Sequence, residues 1–220
     1  MLSQNDKDGL LKRYAHFKSA LDERAGKQDL LVVSKNQSAD HIAVLAEAGQ
    51  RAFAENYWQE AEQKIQAQGH FPLQWHFIGR VQRNKAAKIA AHFDWVHSLD
   101  DDLIAQSLSR ARVDNARPLN VCIQVNISHE DQKGGIEPDD LFGLADKVAV
   151  QPHLLLRGLM VIPSKAVLSN RAVFEDMHSL WVDLQQRHPS VDTLSMGMSA
   201  DYLEALDAGA TMVRIGRGIF

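Results

Sequence analysis

Short apolar runs recur along the chain, separated by longer stretches in which apolar residues return every three or four positions. The short runs read as strands at 30–34 (LLVVS), 51–55 (RAFAE), 74–79 (QWHFIG), 94–99 (DWVHSL), 119–127 (LNVCIQVNI), 154–162 (LLLRGLMVI), 193–197 (TLSMG) and 211–216 (TMVRIG). The longer stretches keep helical spacing, as in ADHIAVLAEAG, YWQEAEQKIQAQ, NKAAKIAAHF, DDLIAQSLSRAR, EPDDLFGLADKVAV and AVFEDMHSLWVDLQQRH. Asp40 and Ser199 stand where helix caps belong, and Gly49 and Gly209 where helices stop. A further helix, over about 5–25, precedes the first strand.

Strand alternating with helix implies a parallel sheet. Eight strands in 220 residues predict one closed (β/α)8 TIM barrel spanning 1–220, near the low end of the size range for that fold. An open doubly wound sheet is the alternative, but VVSKNQSAD after the first strand lacks the glycines of its phosphate fingerprint.

Composition narrows the class without choosing a function. Hydrophobic content of 45% and charged content of 24% are those of an ordinary soluble domain. A net charge of −4 gives no reason to expect nucleic acid or an anionic membrane as partner. The basic run RVQRNKAAK reads as a solvated helix face. The one cysteine, Cys122, lies in an apolar run and reads as an inert core thiol in a reducing compartment. No apolar stretch approaches the ~20 residues of a membrane span, and the N-terminus lacks the apolar segment of a signal peptide. A cytoplasmic monomer is expected. Ten histidines show no metal-ligand spacing, so no metal is expected.

The candidate chemistry begins at Lys35, which closes the first apolar run. Burial at a strand end would favour its neutral amine, and a neutral amine attacks carbonyls. Lys35 is therefore a candidate Schiff-base lysine, against the alternative that it snorkels into solvent. Barrel sites lie at the C-terminal ends of the strands, and polar residues gather there: Glu55 and Asn56; His76, Gly79, Gln82 and Asn84; Asn126, Ser128, Glu130 and Lys133; then SMGMSAD and VRIGRGIF. In the last two segments, Ser199 at a helix start and the glycines Gly216 and Gly218 have the makings of a phosphate cradle. A phosphorylated aldehyde, pyridoxal 5′-phosphate (PLP), fits such a lysine and such a cradle. Arg214, within the eighth strand, either faces the ring nitrogen of that cofactor or pairs with an acid such as Glu55.

The segments LLVVSKNQS, AFAENYWQEAEQKI, LQWHFIGRVQRNK, FDWVHSLD, NVCIQVNISHEDQKGGI, LRGLMVIP, SMGMSADYLEAL and GATMVRIGRGIF, in this order, resemble the pyridoxal phosphate homeostasis proteins, also called the YggS or proline synthetase co-transcribed family. That family is similar in fold to the barrel domain of alanine racemase and of ornithine decarboxylase. The resemblance implies that Lys35 holds PLP as an aldimine. It implies that Ser199, Gly216 and the backbone N–H of Arg217 bind its phosphate, that Arg214 meets the pyridine nitrogen, and that Asn56, His76 and Met160 line the pocket. Two positions depart from the family pattern: Ala54 replaces a glycine, and Gln37 stands where many relatives carry a second lysine.

The resemblance implies a non-catalytic protein that buffers PLP or delivers it to apo PLP-dependent enzymes. A racemase-like enzyme is the alternative. Racemisation needs acid–base groups on both faces of the substrate, and Tyr14, Tyr57 and Tyr202 give no sign of serving the second face. With the chain ending just past the eighth strand, no additional domain is expected to supply one. A class I aldolase-type barrel is a third reading.

Overall fold

The computed structural model describes residues 2–115, 117–128, 134–164 and 169–220. Eight parallel strands close in sequence order into a barrel. They are β1 (Asp29–Val33), β2 (Ala52–Glu55), β3 (Gln74–Phe77), β4 (Trp95–Leu99), β5 (Leu119–Gln124), β6 (Leu154–Met160), β7 (Thr193–Met198) and β8 (Met212–Ile215). Helix α1 (Gln4–Asp22) precedes β1. The strands are then joined by α2 (Ala39–Glu47), α3 (Trp58–Ala67), α4 (Ala86–His92), α5 (Asp102–Ala111), α6 (Leu141–Ala149), α7 (Arg171–Arg187) and α8 (Tyr202–Asp207).

Each predicted strand is present. Several runs overshoot, by two residues or more at β3, β5 and β6, which stop at Phe77, Gln124 and Met160, although Ile78, Val125 and Val161 continue the apolar pattern. Val125 is buried and its N–H still reaches Met160 O at 3.0 Å, so the apolar run outlasts the regular ladder. Two predicted caps are corrected. Ser38 precedes α2, with Asp40 inside its first turn. Asp201 precedes α8 and accepts the Met198 N–H at 2.6 Å, which leaves Ser199 free for another partner. Gly49 and Gly209 do end helices, with φ of 99° and 93°.

Successive strand residues face opposite sides, and the barrel sorts them into two layers. Val32, Phe53, Phe77, Val96, Val121 and Val213 belong to the main core between sheet and helices. Inside the barrel, Leu31, Ala54 and Met212 form one small apolar cluster, and Trp95, Cys122 and Met160 another. Pairing of Leu31 with Arg214, Val33 with Ala54, and Ala54 with His76 carries this inner face around the sheet. Lys35 and Asn56 extend that inner parity by one further step along β1 and β2, above Val33 and Ala54.

Helix α1 lies against the chain's last turn. Arg13 Nε donates to Ile219 O at 2.7 Å, and the Phe17 ring meets Tyr202 edge-on at 5.1 Å. No helix among the described residues is long and apolar enough to cross a membrane.

Candidate functional site at the C-terminal lip of the barrel

The loops after β7, β8, β1, β2 and β3 touch one another in turn. Ser199 Oγ accepts the Gly218 N–H at 3.2 Å, joining the β7 and β8 loops. A Cβ on Gly216 would lie 3.1 Å from Val33 O, so β8 presses on β1. Ser34 N–H donates to Ala54 O at 3.0 Å, joining β1 to β2. A Cβ on Gly79 would stand 1.9 Å from Asn56 O, so only glycine lets the β3 loop close on β2. One continuous arc of the lip therefore carries Ser199, Gly216, Arg217, Lys35 and Asn56, five of the eight residues expected at the site.

Lys35 is exposed on this lip, which corrects the expectation of a buried amine. The apolar run ends at Val33, and Ser34 is the last buried position. Ser34 turns its hydroxyl outward to Glu55 Oε1 at 2.6 Å, and Asn36 then reverses the chain with φ 62°. Lys64 Nζ, from α3, donates to Ser34 O, Glu55 Oε1 and Glu60 Oε1 at 2.7, 2.8 and 2.6 Å. Burial pushes the Glu55 carboxyl above the ordinary carboxylate range, opposed by its hydrogen bonds from Lys64 and Ser34.

The other three residues lie below the lip. Arg214 is buried, and its Nη1 donates to Ser195 O at 2.6 Å and Ser195 Oγ at 2.9 Å. Its Nη2 donates to Val161 O at 2.7 Å. Arg214 does not form the alternative ion pair with Glu55: its donors go to Ser195 and Val161, while Glu55 pairs with Lys64. Burial lowers the guanidinium to about 10, which still leaves it charged at neutral pH. Its bonds to Ser195 and Val161 use three of its five N–H groups and leave donor capacity over.

His76 and Met160 do not reach the surface of the lip. Met160 is fully buried beside Trp95 and Cys122. His76 stacks on Trp95 with centroids 5.3 Å apart, and its Nδ1 lies 2.9 Å from His97 Nε2. His97 Nδ1 lies 3.2 Å from Ser195 Oγ, so a polar chain runs from His76 to Arg214 through the barrel interior. Burial holds both imidazoles neutral, His76 at about 3 and His97 well below its ordinary value.

His97, Ser195 and Lys64 were not singled out from sequence. The signal available for the first two was a polar residue at inward parity within an apolar strand. Glu130, Lys133 and Lys165 lie outside the described residues. Among the described residues no His, Cys, Asp and Glu cluster could hold a metal. A cavity of about 420 Å³ opens at the opposite mouth, lined by strand starts such as Asp29, Ala52, Gln74 and Asn120, and it includes His76 but not Lys35.

The lip thus brings an exposed amine together with Ser199 and the glycine-containing last turn, above a buried arginine. Residues 8–220 match the family described as alanine racemase, N-terminal domain. The chain is 48% identical over 197 residues to a pyridoxal phosphate homeostasis protein of Pasteurella multocida, covering 87% of this chain and 84% of that one. It is 46% identical over 211 residues to the protein of that name from Escherichia coli K12, covering 92% and 90%. The PLP-bound structure of PipY from Synechococcus elongatus superposes with a TM-score of 0.87 at 35% identity, covering 96% of this chain and 99% of that one. Alanine racemase from Corynebacterium glutamicum shares the fold, at TM-score 0.73 and 18% identity, covering 96% of this chain and 61% of that one.

Proposed function

This chain belongs to the pyridoxal phosphate homeostasis protein family, and from that premise we propose that it binds PLP covalently through Lys35 and serves to hold the cofactor and hand it on. The observation that carries the reading is one arc of lip joining an exposed lysine to a serine–glycine cradle, with a buried arginine beneath. When bound, PLP supplies an aldehyde that condenses with amines. Lys35 supplies the amine.

The donor set fits the cofactor. Ser199 Oγ and the Gly218 N–H already converge, and the Gly216–Arg217 turn adds N–H groups suited to a phosphate. Asn56 Oδ1 is buried without a hydrogen-bond partner among the described residues, as a pocket wall awaiting a polar ligand would be. Arg214 has donors left for a ring nitrogen. His76 supports that arginine through His97 and Ser195, and Met160 packs in the layer beneath.

An arginine stays charged, so a nitrogen facing it remains unprotonated and the ring is a poor electron sink. That favours a carrier over a racemase-like enzyme. The test is to titrate the purified protein with PLP and screen L- and D-amino acids for turnover. A saturable visible band, transfer to an apo-enzyme faster than passive release, and no turnover are expected. Turnover above about 1 s⁻¹, near the low end for ordinary enzymes, would overturn the carrier reading. Absence of the band would overturn PLP binding.

A further inference from the structure

Lys64 lies on α3, outside the barrel wall, yet its ammonium is buried and all three of its N–H donors are committed. Two of those bonds lead to the residues on either side of Lys35. On one side Lys64 holds Ser34 O directly at 2.7 Å, while Ser34 Oγ donates to Glu55 Oε1, the same oxygen that accepts from Lys64. On the other side Glu60 Oε1 takes the Asn36 N–H at 2.5 Å as well as Lys64 Nζ. A single ammonium thereby ties down both neighbours of the exposed Lys35.

The tie meets a mechanical need. Asn36 sits in the left-handed region, at φ 62°, which a non-glycine residue adopts at some cost and keeps only when its surroundings hold it. Lys35 is exposed, so its own side chain does not anchor the loop. Stability alone does not account for the cluster. A buried ion pair costs desolvation that its attraction barely repays, and apolar replacements of similar size are often as stable. Fixing a geometry is what such a cluster does that an apolar patch does not.

We infer that Lys64, with Glu55 and Glu60, is a positioning group for Lys35: it fixes where β1 ends and the direction in which the Lys35 amine is presented to the lip. This rests on the reading of Lys35 as the point of PLP attachment. A second consequence follows from the same contacts. Lys64 is withheld from carbonyl chemistry because its three donors are spent on three oxygens.

The experiment uses two variants of the full chain. Glu60→Gln removes the one charge, at a partly exposed site, that accepts from both the Asn36 N–H and Lys64 Nζ. The double variant Lys64→Met with Glu55→Gln removes both buried charges together, so neither is left unpaired if the other folds poorly. Folding is checked by circular dichroism and thermal unfolding. Three quantities are then read: the rate at which the visible PLP band appears, the affinity for pyridoxine 5′-phosphate, which has no aldehyde, and hydrogen exchange of the Asn36 amide. The expected result is slower attachment, on the order of ten- to a hundred-fold as for a misplaced reacting group. Affinity for pyridoxine 5′-phosphate should be unchanged, and the Asn36 amide should exchange faster. Attachment at the wild-type rate in both folded variants would overturn the inference, as would an equal loss for both ligands. Failure of the wild-type protein to attach PLP at Lys35 would instead overturn the reading beneath it.

Discussion

Ser199 Oγ accepts a hydrogen bond from the Gly218 N–H at 3.2 Å, across the gap between the β7 and β8 loops. With Asp201 in the N-cap position of α8, this serine's hydroxyl meets the last loop of the barrel. There it can also donate to an anion lying on the glycine turn. Ser199→Ala should weaken PLP binding by about 1–3 kcal/mol, the range for a lost charge-assisted hydrogen bond. Pyridoxal, without the phosphate, should bind much more weakly than PLP to the wild type and lose little in the variant. Titrations with both ligands check this, and equal affinities for the two in the wild type would remove the cradle from the account.

Gly218 is held small from the other side. A Cβ there would stand 2.5 Å from Phe17 Cζ and 3.2 Å from Ser199 Oγ. Phe17 is itself buried in α1, so its ring has little room to yield. Gly218→Ala should cost about 1–3 kcal/mol of stability, as overpacking does, and should weaken PLP binding too. Adding Phe17→Leu should restore part of the thermal stability. No rescue by the second substitution would show that the clash lies elsewhere.

The two interior histidines set an acid limit. In the unfolded chain both titrate near ~6.5, while the folded barrel keeps them neutral, His76 to about 3. Below ~6.5 the unfolded state takes up protons that the folded state refuses, so stability falls as pH drops. For His76 the full contribution is present above ~6.5 and drains away between there and about 3, at about 1.4 kcal/mol per pH unit; His97 acts in the same direction. Urea unfolding at pH 7.5, 6 and 5 should show this decline. His76→Gln should make it shallower by about one proton's worth, and an unchanged slope would contradict the assignment.

Cys122 is fully buried between Trp95 and Met160, and burial pushes its thiol far above the ordinary range. A thiol reagent such as DTNB should leave the native protein unlabelled and titrate one thiol per chain only in denaturant. Rapid labelling of the folded protein would show that the barrel interior opens readily.

The fold was legible in sequence because the strands are apolar runs and the helices keep a 3.6-residue period, both properties of single elements. The candidate site was legible in part for a related reason: Lys35, Asn56, Ser199, Gly216 and Arg217 follow strand ends, and barrel topology brings those ends onto one lip. What sequence could not give were the contacts that depend on which side chain wins a shared partner. Glu55 was available to Arg214 or to Lys64, and only the packing of α3 against β2 decides for Lys64. Ser199 stands at a plausible cap position, yet Asp201 takes the cap. His76 sits near a strand end in sequence, but its partner His97 draws it into the interior chain rather than the lip. Burial of Lys35 was overread because the apolar run stops at Val33 and Ser34 is buried through polar contacts, not apolar ones.

The central claim is that Lys35 carries the cofactor, and reduction followed by peptide mapping tests it most directly. The purified protein is saturated with PLP, treated with borohydride, digested and sequenced by mass spectrometry, with Lys35→Ala treated alongside. The account predicts the pyridoxyl label on Lys35 in the wild type, and no visible band but an intact fold in the variant. A label found chiefly on Lys64, Lys133 or Lys165, or a yellow Lys35→Ala protein, would contradict it.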